Sequence, residues 1–271
     1  MTIGTQHRAG SLCVDPEQPS VARVYDVLLG GPHNFAADRT AAATVLQAMP
    51  QLAQVMRANR SFMRRAVTAV ATHGVQQFLD LGSGIPTEGN VHDVARRVHP
   101  DSRTVYVDLD PVAVAHTRTL LADDASSGVL RADLTDPDMV LADPTVRRLI
   151  DLDQPVCLLI VGVAQHVADT GHLQQTLNAY RDAVPVGSHL IMTHLSGDGD
   201  PRAVERARQA YNKTIAPLVP RNRGEFAQLL RGWDLIDPGL TCTGQWRPDA
   251  NDPAVNEMAS RCLLTAVGRK P

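Results

Sequence analysis

Lysine is nearly absent from this sequence, and no surplus of other positive charge replaces it. Lys213 and Lys270 are the only lysines, and 26 basic residues face 29 acidic ones, for a net charge of −3. Proteins bind nucleic-acid backbones mainly through surplus arginine and lysine. Aromatic residues, which stack on exposed bases, make up only 4% of the chain. We therefore expect no nucleic acid among the partners of this protein.

Closely spaced cysteines and long apolar runs are also missing. The four cysteines lie far apart and form no C-x-x-C pair, which argues against a zinc site or a disulfide framework. No uninterrupted apolar stretch approaches the roughly 20 residues that span a bilayer. The first residues lack the charged and apolar regions of a signal peptide. The sequence thus predicts a cytoplasmic protein with no metal site and no membrane partner.

The first quarter of the chain has the pattern of a tail followed by helices. Residues 1–19 are polar, contain two prolines and show no period, which predicts a flexible tail. Across residues 20–73, apolar side chains recur at three- and four-residue spacing, as at Val21, Val24 and Leu28, and no strand pattern is present. We interpret this region as an N-terminal helical arm that lies against the rest of the protein.

From residue 74 to residue 271, short apolar runs alternate with helical segments, as in a parallel sheet with crossover helices. Seven strands are predicted, at residues 76–81, 104–108, 128–132, 156–161, 188–194, 233–236 and 262–267. Helices are predicted in most of the gaps, including one over residues 137–149. No obvious crossover helix joins the last two strands, so we expect the final strand to run antiparallel. The predicted fold class is α/β, with a mostly parallel sheet plus the helical arm.

A glycine-rich loop follows the first predicted strand, at Asp80-Leu81-Gly82-Ser83-Gly84. Glycines let a ligand approach the backbone closely, and the start of the following helix favours an anionic group. A dinucleotide fingerprint needs glycine or alanine where Thr87 stands, so NAD is disfavoured. Taken alone, the turn is also compatible with an ordinary connection between a strand and a helix.

Two more acidic residues follow the next two predicted strands. Asp108 ends the second strand, where a carboxylate can accept hydrogen bonds from both hydroxyls of a ribose. Asp110 precedes Pro111 in the pattern of a helix N-cap, so we assign the cap to Asp110 and the ribose to Asp108. Asp133 follows the third strand and can accept from an adenine amino group. Together, three acids at successive strand ends favour a binding site for a nucleoside-containing ligand. They disfavour the alternative that the glycine-rich loop is only a tight turn.

Long motifs of this sequence resemble one family. The segments are PSVARVYDVLLGGPHNFAADR, RANRSFMRRAV, QFLDLGSGIPTEGNVHDVA, VYVDLDPVAVAHTRTLL and ADLTDP, with GQWRPD and AVGRKP further on. They are similar to the actinobacterial S-adenosylmethionine-dependent methyltransferases once classified only as a domain of unknown function, and the similarity runs from residue 19 to residue 270. The resemblance implies a Rossmann-like class I methyltransferase fold and S-adenosylmethionine as cofactor. It leaves the methyl acceptor open.

The same resemblance implies two groups of cofactor-binding residues. The strand-end group comprises Asp80, Gly82, Ser83, Gly84, Asp108, Leu109, Asp133 and Leu134. Its loop residues match the part that holds the methionine, Asp108 matches the ribose acid, and Asp133 with Leu134 matches the adenine pocket. The second group implies a lid, formed by the arm over the cofactor, and comprises Tyr25, Gly30, Gly31, Asn34 and Arg60.

Two histidines are candidates for the catalytic base. His166 follows the fourth predicted strand and resembles a position where many small-molecule methyltransferases place a histidine near the acceptor. An unperturbed imidazole, with a pKa of about 6.5, is suited to removing a proton from a hydroxyl or amine. A structural histidine, hydrogen-bonded at a strand end, is an equally open interpretation. His194, at the end of the fifth strand, is the second candidate.

Three functions are compatible with the sequence. We favour a methyltransferase that acts on a small-molecule acceptor in secondary metabolism, by in-line transfer that releases S-adenosylhomocysteine and requires no metal. The alternatives are an S-adenosylmethionine-binding protein without catalysis and an enzyme that uses S-adenosylmethionine for other chemistry. The sequence does not predict the oligomeric state.

Overall fold

The computed structural model describes residues 14–87, 89–198, 201–250, 252 and 256–271. Most of the predicted flexible tail, residues 1–13, lies outside the described residues. Within the described ranges, no helix combines the length and the apolar character that a membrane span requires.

One mixed sheet forms the centre of the protein. Its strands are β1 (Gln77–Leu81), β2 (Arg103–Asp108), β3 (Ser127–Arg131), β4 (Cys157–Ile160), β5 (His189–Leu195), β6 (Asp234–Leu235), β7 (Thr241–Cys242) and β8 (Leu263–Arg269). The spatial order is β3-β2-β1-β4-β5-β8-β6, and β7 also pairs with β8. Strands β1 to β5 are parallel, whereas β8 runs antiparallel to β5, β6 and β7. The predicted α/β fold with an antiparallel last strand is confirmed.

The sheet contains one strand more than the seven that the sequence predicts. The additional strand, β7, has only two residues and lies in the Pro- and Asp-rich segment between β6 and β8. Strand β6 is equally short, but it lies within the predicted strand at residues 233–236, whereas no apolar run marks Thr241 and Cys242. The pairing of β7 with β8 therefore depends on the tertiary structure.

Helices surround the sheet and form the arm. They are α1 (Val21–Leu29), α2 (Ala36–Ala48), α3 (Leu52–Thr72), α4 (Val91–Val98), α5 (Pro111–Leu120), α6 (Pro137–Ala142), α7 (Pro144–Leu149), α8 (Thr170–Ala183), α9 (Pro201–Thr214), α10 (Arg223–Leu229) and α11 (Glu257–Arg261). The predicted helix over residues 137–149 is two helices. Asp143 ends α6 and caps α7 by accepting from the Thr145 N–H, and Pro144 then occupies the first position of α7.

Helix α3 belongs both to the arm and to the main core. Its first turns pack with α1, α2 and α9 through Leu52, Val55 and Met56. Its later turns cover one face of the sheet, where Phe62 and Val67 lie in the same buried cluster as strand residues of β1, β2 and β4. The predicted arm is therefore continuous with the layer of helices that covers the sheet.

A buried ion pair fixes the arm to the sheet domain. Arg23 of α1, only 3% exposed, donates from Nε to the fully buried carboxylate of Asp38 in α2, at 2.8 Å. Its Nη1 lies 3.4 Å from Oδ2 of Asp110, the residue that caps α5. One guanidinium thus joins both arm helices to the loop after β2.

A buried histidine makes folding sensitive to acid. His189, at the start of β5, is 2% exposed, and neither of its ring nitrogens has a hydrogen-bond partner of normal length and angle. Its ring centroid lies 6.4 Å from that of His73. Burial, with smaller contributions from His73 and Arg269, lowers the pKa of His189 to about 4.

We predict that His189→Leu gains stability over the native protein as the pH falls. Between a pKa of about 4 in the folded chain and about 6.5 in the unfolded chain, the unfolded state of the native protein binds more protons, so acid destabilises it. The free energy of unfolding of the variant minus that of the native protein should be about 2 kcal/mol larger at pH 5 than at pH 8. Urea denaturation at both pH values measures this difference, and a pH-independent difference would contradict the prediction.

Candidate functional site

A cavity of about 620 Å³ lies where the carboxyl ends of β1, β2, β3 and β4 meet, beneath helix α1. In open parallel sheets, ligands bind at this edge. Eleven of the residues singled out from the sequence line it: Tyr25, Arg60, Asp80, Gly82, Ser83, Gly84, Asp108, Leu109, Asp133, Leu134 and His166. The fold thus brings residues from separate segments of the chain to one place.

The loop after β1 is held by the end of β2. The N–H groups of Gly82 and Ser83 both donate to the carbonyl of Val107, at 2.8 and 3.1 Å, and the N–H of Gly84 donates to Asp108 Oδ2 at 2.6 Å. Gly82 has a φ of +78°, and a Cβ there would lie 2.7 Å from a methyl group of Val163. The loop therefore requires glycine both for its conformation and for its contact with the segment after β4.

Asp80 faces the cavity at the end of β1. Its side chain is buried, with 7% of the residue exposed, and its carboxylate has no hydrogen-bond partner in the described part of the chain. Burial raises the pKa of Asp80 to about 7, although Arg60 nearby favours its ionised form, and Asp108 raises the pKa further. A carboxylate without a partner in such a place is suited to a cationic ligand group.

Asp108 and Asp110 have the separate positions that the sequence predicts. Asp110 caps α5, since its Oδ1 accepts from the N–H groups of Val112 and Ala113. Asp108 lines the cavity and accepts from the N–H of Asp110 at 2.8 Å and from that of Gly84. Burial raises the pKa of Asp108, and these backbone donors oppose the shift.

The far side of the cavity combines apolar walls with one exposed acid. Leu109 is 58% exposed at the rim, whereas Leu134 is buried. Asp133 is exposed, and its Oδ1 accepts from both the N–H and the hydroxyl of Thr135, at 2.8 Å each. Two leucines beside a carboxylate are suited to a flat ring that carries a hydrogen-bond donor.

Two of the predicted lid residues, Tyr25 and Arg60, line the cavity. Arg60 of α3 donates from Nη2 to the carbonyl of Gly89 at 3.4 Å, while its buried Nε has no partner. The hydroxyl of Tyr25 accepts from Asn59 Nδ2 at 3.1 Å and donates to the carbonyl of Met56 at 3.3 Å. Tyr25 is therefore fixed within the arm, and Arg60 keeps one donor for a ligand.

Three of the predicted lid residues do not line the cavity. Gly30 ends α1 in the left-handed conformation, and Gly31 packs so closely on Asp26 that a Cβ would lie 2.0 Å from its Oδ1. Asn34 donates through Nδ2 to Asp26 Oδ2 and to the carbonyl of Gly31, both at 2.8 Å. The geometry of these residues folds the turn between α1 and α2, outside the cavity lining.

His166 lines the cavity with one ring nitrogen fixed. Its Nδ1–H donates to the carbonyl of Pro217 at 2.9 Å, so in the neutral ring the lone pair is on Nε2. The ring stacks on that of Tyr211, with centroids 5.4 Å apart and an interplanar angle of 29°. Burial lowers the pKa of His166, and the Pro217 carbonyl opposes this shift. Nε2 is therefore available as a proton acceptor near neutral pH.

His194, the second candidate base, does not line the cavity. It is fully buried, and its Nε2 lies 2.7 Å from Nη1 of Arg221. Burial is the largest cause that lowers the pKa of His194 to about 4, and the charge of Arg221 lowers it further. Both ring nitrogens of His194 already have partners within the protein, the Leu195 carbonyl and Arg221.

The cavity also contains residues that the sequence analysis did not select. Ser20, Val21, Ala22 and Leu29, in and next to the first helix, form one wall. Their apolar, helical spacing cannot be distinguished in the sequence from that of ordinary core residues. Val163 lies in the segment after β4. Only the structure shows that it contacts Gly82.

We predict that Gly82→Ala destabilises the protein by about 2 to 4 kcal/mol, because it adds both a strained φ and a collision with Val163. Gly239→Ala is the matched control. Gly239 has the same φ of +78°, and a Cβ added there would meet nothing within 4 Å, so its loss should be about 1 to 2 kcal/mol. Urea denaturation compares the two, and equal losses would show that Val163 does not constrain the loop.

Known proteins provide the comparison for this site. Residues 7–271 match the S-adenosyl methyltransferase family. A protein from Thermobifida fusca, described as a candidate methyltransferase, is 37% identical, with 98% of this chain and 99% of that chain covered and a TM-score of 0.90. A DUF574 family protein from Streptomyces avermitilis is 34% identical, with 95% and 99% covered and a TM-score of 0.88. No curated protein matches the chain in sequence.

A more distant structure shares the fold. The S-adenosylmethionine-dependent methyltransferase SibL is 17% identical, with 91% of this chain and 62% of that chain covered and a TM-score of 0.52. The family match over residues 7–271 and the two structures above 30% identity show membership of a family, which a shared fold alone does not. This chain belongs to the S-adenosyl methyltransferase family and is an S-adenosylmethionine-dependent methyltransferase.

Proposed function

We propose that the 620 Å³ cavity binds S-adenosylmethionine and that the enzyme transfers its methyl group to a small-molecule acceptor next to His166. The observation that carries this proposal is the order of groups along the cavity. Arg60 and Asp80 lie at one end, Asp108 lies at the next strand end, and Leu109 and Leu134 form the apolar part. This order matches the amino acid, ribose and adenine of the cofactor. A role in secondary metabolism stays a prediction.

At the methionine end, two side chains have the required charges. The unpaired carboxylate of Asp80 accepts hydrogen bonds from the ammonium group, and the free Nε–H of Arg60 donates to the carboxylate. The turn through Gly82 and Gly84 leaves room for this part of the ligand, because no side chains project from those positions.

At the nucleoside end, Asp108 accepts from the ribose hydroxyls while Gly84 and Asp110 hold its orientation. Leu109 and Leu134 pack against the two sides of the adenine, and Asp133 accepts from its amino group. Helix α1 covers the cavity as a lid through Val21, Tyr25 and Leu29, and so excludes water from the site of transfer.

The cofactor supplies a methyl group on a sulfonium, whose leaving group after in-line displacement is a neutral thioether. The protein's main task is to position the acceptor, which can lower the barrier by several kcal/mol. His166 Nε2 removes the proton from the attacking hydroxyl or amine, and the carbonyl of Pro217 keeps that nitrogen directed at the cavity. Tyr211, stacked on the ring, restricts its rotation.

We predict that binding of S-adenosylmethionine releases a proton from Asp80. In the free protein its pKa is about 7, and an ammonium partner favours the ionised form. Calorimetry at pH 6.5, in buffers of different ionisation enthalpy, should show release of between about half and one proton per cofactor bound. Asp80→Asn should remove that release, and an unchanged proton count in the variant would contradict the assignment.

We predict that Asp108→Asn weakens S-adenosylmethionine binding about 10- to 100-fold, since charged hydrogen bonds to the ribose are replaced by weaker neutral ones. The matched control is Asp138→Asn in α6, an exposed aspartate outside the cavity, which should leave the dissociation constant unchanged. Calorimetry measures both variants. Equal affinity of the two variants would exclude Asp108 as the ribose acceptor.

We predict that His166→Gln lowers kcat about 10²- to 10⁴-fold and leaves the dissociation constant of S-adenosylmethionine unchanged. Native kcat should rise with pH until His166 is deprotonated, at a pKa below 6.5, and then level off. The titratable groups around it are Tyr25, Tyr211 and His194. The rates are measured as release of S-adenosylhomocysteine with neutral phenols or amines as acceptors. If His166→Gln keeps the native pH profile of kcat, His166 is excluded as the base.

A further inference from the structure

A small chamber adjoins the cofactor cavity beyond His166. Its free volume is about 40 Å³, and it shares Tyr25, Gly162 and His166 with the larger cavity. It lies between the arm helices α1, α2 and α3 on one side and helix α9 with the end of β5 on the other. We call it the inner chamber.

The walls of the inner chamber carry no formal charge. Most are aliphatic or thioether side chains, such as Leu28, Met49, Leu52, Met56, Leu195 and Leu218. Among the described residues that line it, none is aspartate, glutamate, lysine or arginine. Transfer of an unpaired charged group from water into such surroundings is strongly unfavourable. The chamber therefore selects against an acceptor whose buried end is ionised.

One polar group of the chamber lacks a partner. Gln165, 7% exposed, donates from Nε2 to the carbonyl of Gly162 at 2.7 Å, which fixes the orientation of its amide. Its Oε1 is buried and has no hydrogen-bond partner among the residues that the structure describes. A buried carbonyl oxygen without a partner costs free energy unless a ligand supplies a donor. The Oε1 atom of Gln165, like Nε2 of neutral His166, can only accept a hydrogen bond.

We propose, resting on the function proposed above, that the inner chamber recognises the methyl acceptor and that Gln165 is one of its binding residues. The acceptor is a neutral, mainly apolar molecule, and its compact end carries an O–H or N–H group, as in a phenol or an arylamine. The free volume of about 40 Å³ is well below the roughly 150 Å³ of a cavity that holds a benzene ring, so only the O–H or N–H group and the atoms next to it enter the chamber. Carboxylates, phosphates and alkylammonium ions are excluded from this end.

Three probes of nearly equal shape test the proposal. 4-Methylphenol is neutral and has a donor, 4-methylanisole is neutral without one, and 4-methylbenzoate is charged. Their dissociation constants are measured by saturation-transfer NMR on the full chain saturated with S-adenosylhomocysteine. We expect 4-methylphenol to bind at least about 5-fold more tightly than 4-methylanisole and more than about 10-fold more tightly than 4-methylbenzoate. Equal or tighter binding of 4-methylbenzoate would overturn the proposal.

Two variants identify the site of binding. Gln165→Leu should reduce the preference for 4-methylphenol over 4-methylanisole, because one of the two buried acceptors is gone and only His166 Nε2 remains for the single O–H. Ala207→Phe, which fills the chamber from α9, should weaken all neutral probes more than about 10-fold, whereas Val204→Phe on the same helix, outside the chamber, should not. If Ala207→Phe does not fold, Gln165→Leu decides alone, and an unchanged preference in that variant overturns the assignment.

Failure of the proposed function is recognised separately. If calorimetry shows no binding of S-adenosylmethionine or S-adenosylhomocysteine, the cofactor assignment of the larger cavity fails, whatever the probes do. If the cofactor binds and the probes show no preference for a neutral donor, only the inference about the acceptor fails. Release of S-adenosylhomocysteine with 4-methylphenol would support both.

Discussion

The hydrogen bond from the backbone N–H of Gly84 to the carboxylate of Asp108, at 2.6 Å, joins the ends of the two central strands on which the site is built. With the loop held there, Asp80 is left at the cavity wall without a partner in the described part of the chain. Burial raises the pKa of both acids, so the site disfavours two negative charges and favours a cationic ligand. S-adenosylmethionine, with its sulfonium and ammonium groups, has that charge.

The second constraint is the attachment of the arm. A buried ion pair costs desolvation free energy that its Coulomb attraction only partly offsets, so its main effect here is on geometry rather than stability. Arg23 binds Asp38 and Asp110 together, which positions α1 above the cavity and beside the loop after β2. The same helix then forms one wall of the cofactor cavity and one wall of the inner chamber. The proposed cofactor and acceptor sites therefore share one structural element.

Much of the fold could be predicted because parallel strands buried on both faces produce continuous apolar runs. All five residues of β1 are buried, and its position was predicted to within one residue. Short elements gave no such signal, as β7 shows, and Asp143-Pro144 divided what the apolar period predicted as one helix. The spacing of apolar residues indicates which face of a helix is buried. It does not indicate where a capping residue ends one helix and begins the next.

For the site, the sequence by itself determined that acids and glycines stand at successive strand ends, because strand length and the parallel arrangement fix their positions along one edge. Only the tertiary structure decided what each side chain faces. It placed His166 in the cavity and paired His194 with Arg221, and it used Gly31 and Asn34 to fold a turn. The inner chamber also exists only in the folded protein, since distant segments form its walls. Local spacing is a property of the covalent chain, whereas neighbours across a cavity depend on how helices pack.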